Sequence, residues 1–263
     1  MHFKTRLFFI LWSAGLIGIL SFLLLVDLDA LVSTLRLPPG TEIPTFTLTL
    51  RLLGVIQPAI LLLVAVLIGV FLSPKLGLSS PIAEAVASGG DITSALRPQI
   101  VPGIVGGLIG GGAIVLIALV LGPFLAPEVS EGFGKLGRVL PIVTRFLYGG
   151  ITEELLLRWG LMTLLVWVGW RLFQKGEGSP RSALVIGAIL VSALVFAVGH
   201  LPIAYLLVAE PTIAQTSFVI AANSVFGLIA GYLYWKRGLE SAMIAHALAH
   251  VVMVTASYFG AYF

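Results

Sequence analysis

The chain has no cysteine. A disulfide, a thiolate nucleophile and a cysteine-ligated zinc site are therefore excluded, and any metal would need histidine and carboxylate ligands. Charge is scarce as well. Asp, Glu, Lys and Arg supply 10% of the 263 residues, 59% are hydrophobic, and the mean hydropathy is +1.09. Soluble domains carry about 25% charged residues, so an ordinary soluble fold is excluded. Basic clusters are missing too: the 15 Lys and Arg residues that give a net charge of +3 are scattered. That dispersal argues against a nucleic-acid partner and reads as membrane topology. No Pro- or Ser-rich linker and no internal repeat divides the chain.

What is abundant is long apolar sequence. Runs of roughly 20 residues, enough to cross a hydrocarbon core of about 30 Å, recur at 7–26, 52–72, 101–121, 139–173, 182–201, 213–235 and 242–262. They are apolar on all sides, unlike the alternating segments of about ten residues in a membrane β-barrel. The expected fold is an all-α, polytopic integral membrane bundle of seven or eight transmembrane helices, with the lipid bilayer as partner. Lys4 and Arg6 before the first run resemble a signal peptide, yet the run is too long and Asp27 stands where a small residue would be needed. It reads as a retained first span.

The run 139–173 is too long for one upright span, since 35 residues make a helix of about 52 Å. Gly149-Gly150 followed by Thr152 predicts a break and an N-cap there, so that Glu153 and Glu154 open a fresh helix whose dipole favours their ionised forms. Loops then alternate. Lys4/Arg6, Lys75/Arg97, Lys175/Arg181 and Lys236/Arg237 share one face, and the positive-inside rule makes it cytoplasmic, N-terminus included. A short amphipathic helix is expected within 73–98. The glycine-dense stretch 103–112 reads as a close helix-packing surface.

Ionisable groups inside apolar runs are costly and so mark function. In Glu153-Glu154-x-x-x-Arg158, Glu154 and Arg158 stand four apart and can pair, leaving Glu153, turned about 100° away, to act as a general base. Phe196-x-x-x-His200 ends a span. His246-Ala-Leu-Ala-His250 puts two imidazoles on one helix face, a spacing that can chelate a metal or hold two donors over one oxygen. It is not the zincin motif, because Ala247 occupies the place of the required glutamate. The plainer readings stay open: a buried structural ion pair, an interfacial histidine, and two histidines bonded to carbonyls of neighbouring helices. Arg145 reads as an interfacial or pairing residue, and Asn223, Ser224 and Tyr232 as interhelical hydrogen-bond partners.

Taken in order, these motifs resemble the CPBP family of intramembrane proteases, also called the CAAX protease and bacteriocin-processing or Abi family. The segment from Phe226 through Gly227 and Gly231 to Ala242 also resembles the glycine-rich helix and turn that precede the family's last motif. The likeness covers about 139–263, a catalytic helical core, and residues 1–138 carry no family motif. One departure is His250, where many members have asparagine. The resemblance implies an endopeptidase that hydrolyses a membrane-associated or prenylated peptide or protein. Glu153 with His200 would activate water, and His246 with His250 would stabilise the oxyanion or help hold a divalent metal such as zinc. Metal candidates are Glu153, His200, His246 and His250; Glu154 and Arg158 would orient the helix and tune Glu153, with Phe196 supporting. A prokaryotic cell membrane is the expected location. Alternatives are a non-catalytic scaffold or bacteriocin-immunity protein of the same family, and a proton-coupled transporter. On depth alone His200 and His246 fall near opposite ends of their spans, which predicts tilted, broken or re-entrant helices near Gly149-Gly150 and the 201–214 connection.

Overall fold

A computed structural model describes residues 2–38 and 40–260. Its described residues form helices and no strand, and seven helices are long and apolar enough to cross a membrane. The chain is an integral membrane protein built as a helical bundle. In order, the helices are α1 (Phe3–Leu25), α2 (Leu28–Ser33), α3 (Leu48–Leu76), α4 (Pro81–Ser88), α5 (Ile92–Leu121), α6 (Pro127–Val139), α7 (Ile142–Gln174), α8 (Ser182–Gly199), α9 (Leu201–Tyr205), α10 (Ile213–Lys236) and α11 (Leu239–Tyr258). The predicted end of the last span at Tyr262 lies outside the described residues.

Starts and stops follow local chemistry. The side chains of Thr47, Asp91 and Thr212 accept from backbone N–H groups of the first turns of α3, α5 and α10. Gly77 ends α3 in the left-handed region, at φ +68°. Stripes such as Leu52, Ile56, Ile60 and Val64 on α3, or Leu190, Leu194 and Val198 on α8, face outward as lipid-facing surfaces. The short helix α4 stands where the polar stretch predicted one. It is tied to α11 by Glu240, whose carboxylate accepts from the Ser80 hydroxyl at 2.7 Å and from the N–H groups of Ile82 and Ala83 at 2.9 and 3.0 Å.

Gly103, Gly106, Gly107, Gly110 and Gly111 of α5 face other helices. A Cβ on Gly107 would sit 2.8 Å from the Ala245 carbonyl, and one on Gly111 would sit 3.0 Å from the Ala249 Cα, so the backbone of α11 lies directly on α5.

The predicted break at Gly149-Gly150 is not present. Residues Ile142–Gln174 form one continuous helix, with π-helical turns over Arg145–Glu153 and Leu155–Met162. Widened turns of this kind are rare and recur at functional sites. Thr152 is no N-cap: its buried hydroxyl donates to the Gly15 carbonyl at 2.8 Å, where α1 comes close enough that a Cβ at Gly18 would run into the same side chain. The two glutamates therefore stand mid-helix, and the helix-dipole argument for their ionisation lapses.

The expected depth conflict is resolved without a break at Gly149-Gly150, while the span that carries His200 is interrupted at that residue, between α8 and α9. Gly231 of α10 packs on Ile189 of α8 and Gly227 on Ala193, a register that brings Phe226 beside Phe196. The Phe226 ring in turn lies 4.5 Å from that of His246, and His200 is one turn, about 6 Å, beyond Phe196.

Candidate active site

Glu154 is fully buried, which makes an unpaired charge there very costly. Two partners answer it. Arg158 Nε lies 3.2 Å from one carboxylate oxygen, four residues on along α7 as the spacing predicts. His246 Nδ1 lies 2.7 Å from the other, across a sequence gap of 92 residues. Arg158 is itself buried, donates to the Gly227 carbonyl at 3.2 Å, and stands 5.1 Å over the Phe196 ring. Phe196 thus holds the guanidinium in place and also contacts both His200 and His246.

The carboxylate fixes a tautomer. Facing Glu154, His246 Nδ1 carries hydrogen, so Nε2 is turned toward Glu153, whose carboxylate lies 3.8 Å away. His200 is set in the same way, with Nδ1 donating to the Phe196 carbonyl at 2.8 Å. Glu154 and Arg158 are expected to orient the helix and tune Glu153; in the structure Glu154 also bonds His246, and Arg158 pairs with Glu154. His250 stacks on His246 with ring centres 5.1 Å apart, and its buried Nδ1 has no hydrogen-bond partner among the described residues.

Glu153, His200, His246 and His250 all line one cavity of about 860 Å³. Gly149 lets α11 approach: a Cβ there would stand 2.7 Å from His250 Nε2 and 3.5 Å from His246 Nε2. Tyr148 lines the cavity as well and was not singled out from sequence, because one aromatic in an apolar run carries no signal of its own. Asn223 lines it too, its amide donating to the Val219 carbonyl of its own helix at 2.8 Å. Tyr232 is exposed, packs on Trp235, and lies away from the site.

The imidazoles of His200 and His246 are backed as metal-binding imidazoles are. Even so, among the described residues no three histidine or carboxylate side chains converge in a group able to hold an ion. As placed, the candidates do not fit a divalent metal such as zinc.

Residues 135–252 match the family model described as Type II CAAX prenyl endopeptidase Rce1-like. This match covers less than half of the chain and is consistent with the CPBP family. The Rce1-like segment contains α7 through most of α11, and with them every motif residue named above, in keeping with the CPBP likeness. At family level the match supports a CAAX-type intramembrane protease. No curated protein and no solved structure matches it.

Proposed function

We propose that the chain is an endopeptidase that cleaves a membrane-associated or prenylated polypeptide using water activated by Glu153 and His200. The observation that carries this reading is the convergence of Glu153, His200, His246 and His250 on one cavity, with His246 oriented by the buried Glu154–Arg158 pair. The Glu153 carboxylate forms no hydrogen bond among the described residues, its nearest printed partner being His246 Nε2 at 3.8 Å, and in this reading it takes the proton from water, assisted by His200 Nε2. The water oxygen attacks the scissile carbonyl carbon. His246, its positive form balanced by Glu154, and His250 donate to the resulting oxyanion. Collapse breaks the C–N bond, Glu153 returns the proton to the leaving nitrogen, and the products are a carboxylate and an amine.

The cavity also has a side. Its wall residues come from α2, α6 and α9, from the C-terminal parts of α1, α5, α8 and α11 and from the N-terminal parts of α7 and α10, the ends opposite α4 and the N-terminus. The basic loops lie at the α4 face, so the N-terminus is cytoplasmic and substrate reaches the cavity from the opposite side.

The test compares wild type with Glu153→Gln, each in liposomes, against prenylated and unmodified peptides read by mass spectrometry. Products from wild type alone are expected. Equal cleavage by the Gln variant, or no product from folded wild type, would overturn the reading.

A further inference from the structure

His246 and His250 take their height in the bundle from α11, and the face that α11 lays on α5 leaves that height open. A Cβ at Gly103, Gly107 or Gly111 would stand 2.7 Å from the Cβ of Ile244, Leu248 or Val252 respectively, so the same seat recurs every four residues along both helices. Seats repeated in this way fix the rotation of α11, but its height only to within one turn, about 6 Å. Glycine presents no side chain to block such a step. A shift of that size would carry His246 Nδ1 away from Glu154, whose carboxylate it meets at 2.7 Å.

Polar contacts at the start of α11 select one height. The Leu239 N–H donates to the Ser79 carbonyl at 3.0 Å, the Ser241 hydroxyl to the Gln99 carbonyl at 3.3 Å, and the Gln99 amide to the Arg237 carbonyl at 2.8 Å. Glu240 makes the clasp specific. One of its oxygens gathers the Ser80 hydroxyl and the N–H groups of Ile82 and Ala83, so that a residue of α11 caps α4. N–H groups in a first turn have no partner within their own helix, and a carboxylate suits them. Glu240 is buried, so breaking these bonds would strand polar groups away from water. A one-turn step toward α4 would put Ile244, which has no acceptor, in the place of Glu240; a step away would leave the three donors with none. The histidines follow Glu240 by six and ten residues, about 9 and 15 Å along the axis.

We propose that Glu240 is a positioning residue: its clasp on the N-terminus of α4 selects the height of α11 at which His246 meets Glu154, so the site geometry is set from the end of the bundle opposite the cavity. Its effect on turnover rests on the proteolytic reading above, whereas its effect on His246 does not.

The experiment reads His246 directly by magnetic resonance. The chain has four histidines, so isotope labelling of histidine nitrogen alone gives few imidazole signals, and the N–H donated to Glu154 is identified as the downfield proton lost in Glu154→Gln. Wild type, Glu240→Asp, Glu240→Gln and Ser80→Ala are compared in nanodiscs well below their melting temperatures. Glu240→Asp keeps the charge but shortens the arm by one methylene and opens the clasp; the signal should split or vanish, and cleavage should fall at least about tenfold. Glu240→Gln keeps the arm length and the acceptor oxygen, and should restore the signal and bring cleavage to within about threefold of wild type. Ser80→Ala deletes one of the three donors and should weaken the signal and lower cleavage about threefold. A wild-type signal or wild-type turnover in Glu240→Asp overturns the proposal, as does the same result in Ser80→Ala where the Asp variant does not fold. Equal losses in Glu240→Asp and Glu240→Gln overturn it too, because charge rather than reach would then be what Glu240 supplies. A signal lost in Glu240→Asp, with no product from wild type, sinks the proteolytic reading and leaves the clasp standing.

Discussion

Replacing Glu154 with glutamine keeps the shape of the side chain and removes one charge. Arg158 then remains buried with its guanidinium unanswered, and His246 Nδ1 loses a charged acceptor. Removing one member of a buried pair costs about 3–5 kcal/mol. For a chain of this size each kcal/mol moves the melting temperature by about 2–4 °C, so a drop of about 10 °C is expected. The five tryptophans allow this to be followed by intrinsic fluorescence in detergent. Glu153→Gln is the internal control. Its side chain is partly exposed and its contact with His246 Nε2 is long, at 3.8 Å, so it should unfold within about 1 kcal/mol of wild type yet cleave nothing. The double variant Glu154→Gln/Arg158→Met removes both charges and keeps the volume. It should melt well above Glu154→Gln alone, a non-additivity of about 2 kcal/mol or more, while staying inactive because His246 is no longer held. Losses that simply add would mean Glu154 and Arg158 are not energetically paired. Full activity in the double variant would refute the claim that this pair works through His246.

Gly149→Ala puts a methyl 2.7 Å from His250 Nε2, and cleavage should fall at least about tenfold with little change in melting; unchanged activity would take His250 out of the site. Gly107→Ala pushes against the Ala245 carbonyl and the Leu248 side chain, so a loss of about 1–3 kcal/mol of stability is expected by thermal melting. Because the chain has no native cysteine, single cysteines at Ser88 in α4 and Lys135 in α6 can be labelled in intact cells with a membrane-impermeant maleimide. Lys135→Cys should react and Ser88→Cys should not, and the reverse pattern would invert the topology. Glu84 in α4 is pushed above the ordinary carboxylate range, first by burial and further by the neighbouring Glu240, against the bond it accepts from the Ser80 N–H. An acid whose folded pKa is raised stabilises most below its unfolded value, near 4.5, and that stability is lost as pH rises through the folded value. Glu84→Gln should flatten this decline in a melting-versus-pH series, and an identical slope in both proteins would contradict it.

The membrane spans were legible because a hydrocarbon core demands about 20 apolar residues and little else in a sequence does. Their ends were less so: α3 starts at Leu48 and α5 at Ile92, since the helices extend past the apolar windows that reveal them. The π-helical turns of α7 leave no trace in a hydrophobic count. Gly149-Gly150 read as a break because glycine disfavours helix, whereas the lack of a side chain there admits α11. At the site, the Glu154–Arg158 pair followed from i,i+4 spacing, a purely local rule. The bond from Glu154 to His246 did not, because it depends on how α7 and α11 meet, and no spacing within either helix specifies that.

The bed of glycines on α5 reaches further than helix packing. α11 carries both His246 and His250, and the face it lays on α5 is backbone as much as side chain, so the height and rotation of the two imidazoles are set by a helix that ends before the family segment begins. Residues 135–252 hold the candidate site residues but do not contain the surface on which α11 packs. A fragment cut at that boundary would keep every motif and lose its template, leaving Ala245, Leu248, Ala249 and Val252 without the helix they rest on. In this chain the half without recognisable motifs is the mould in which the histidine helix is cast.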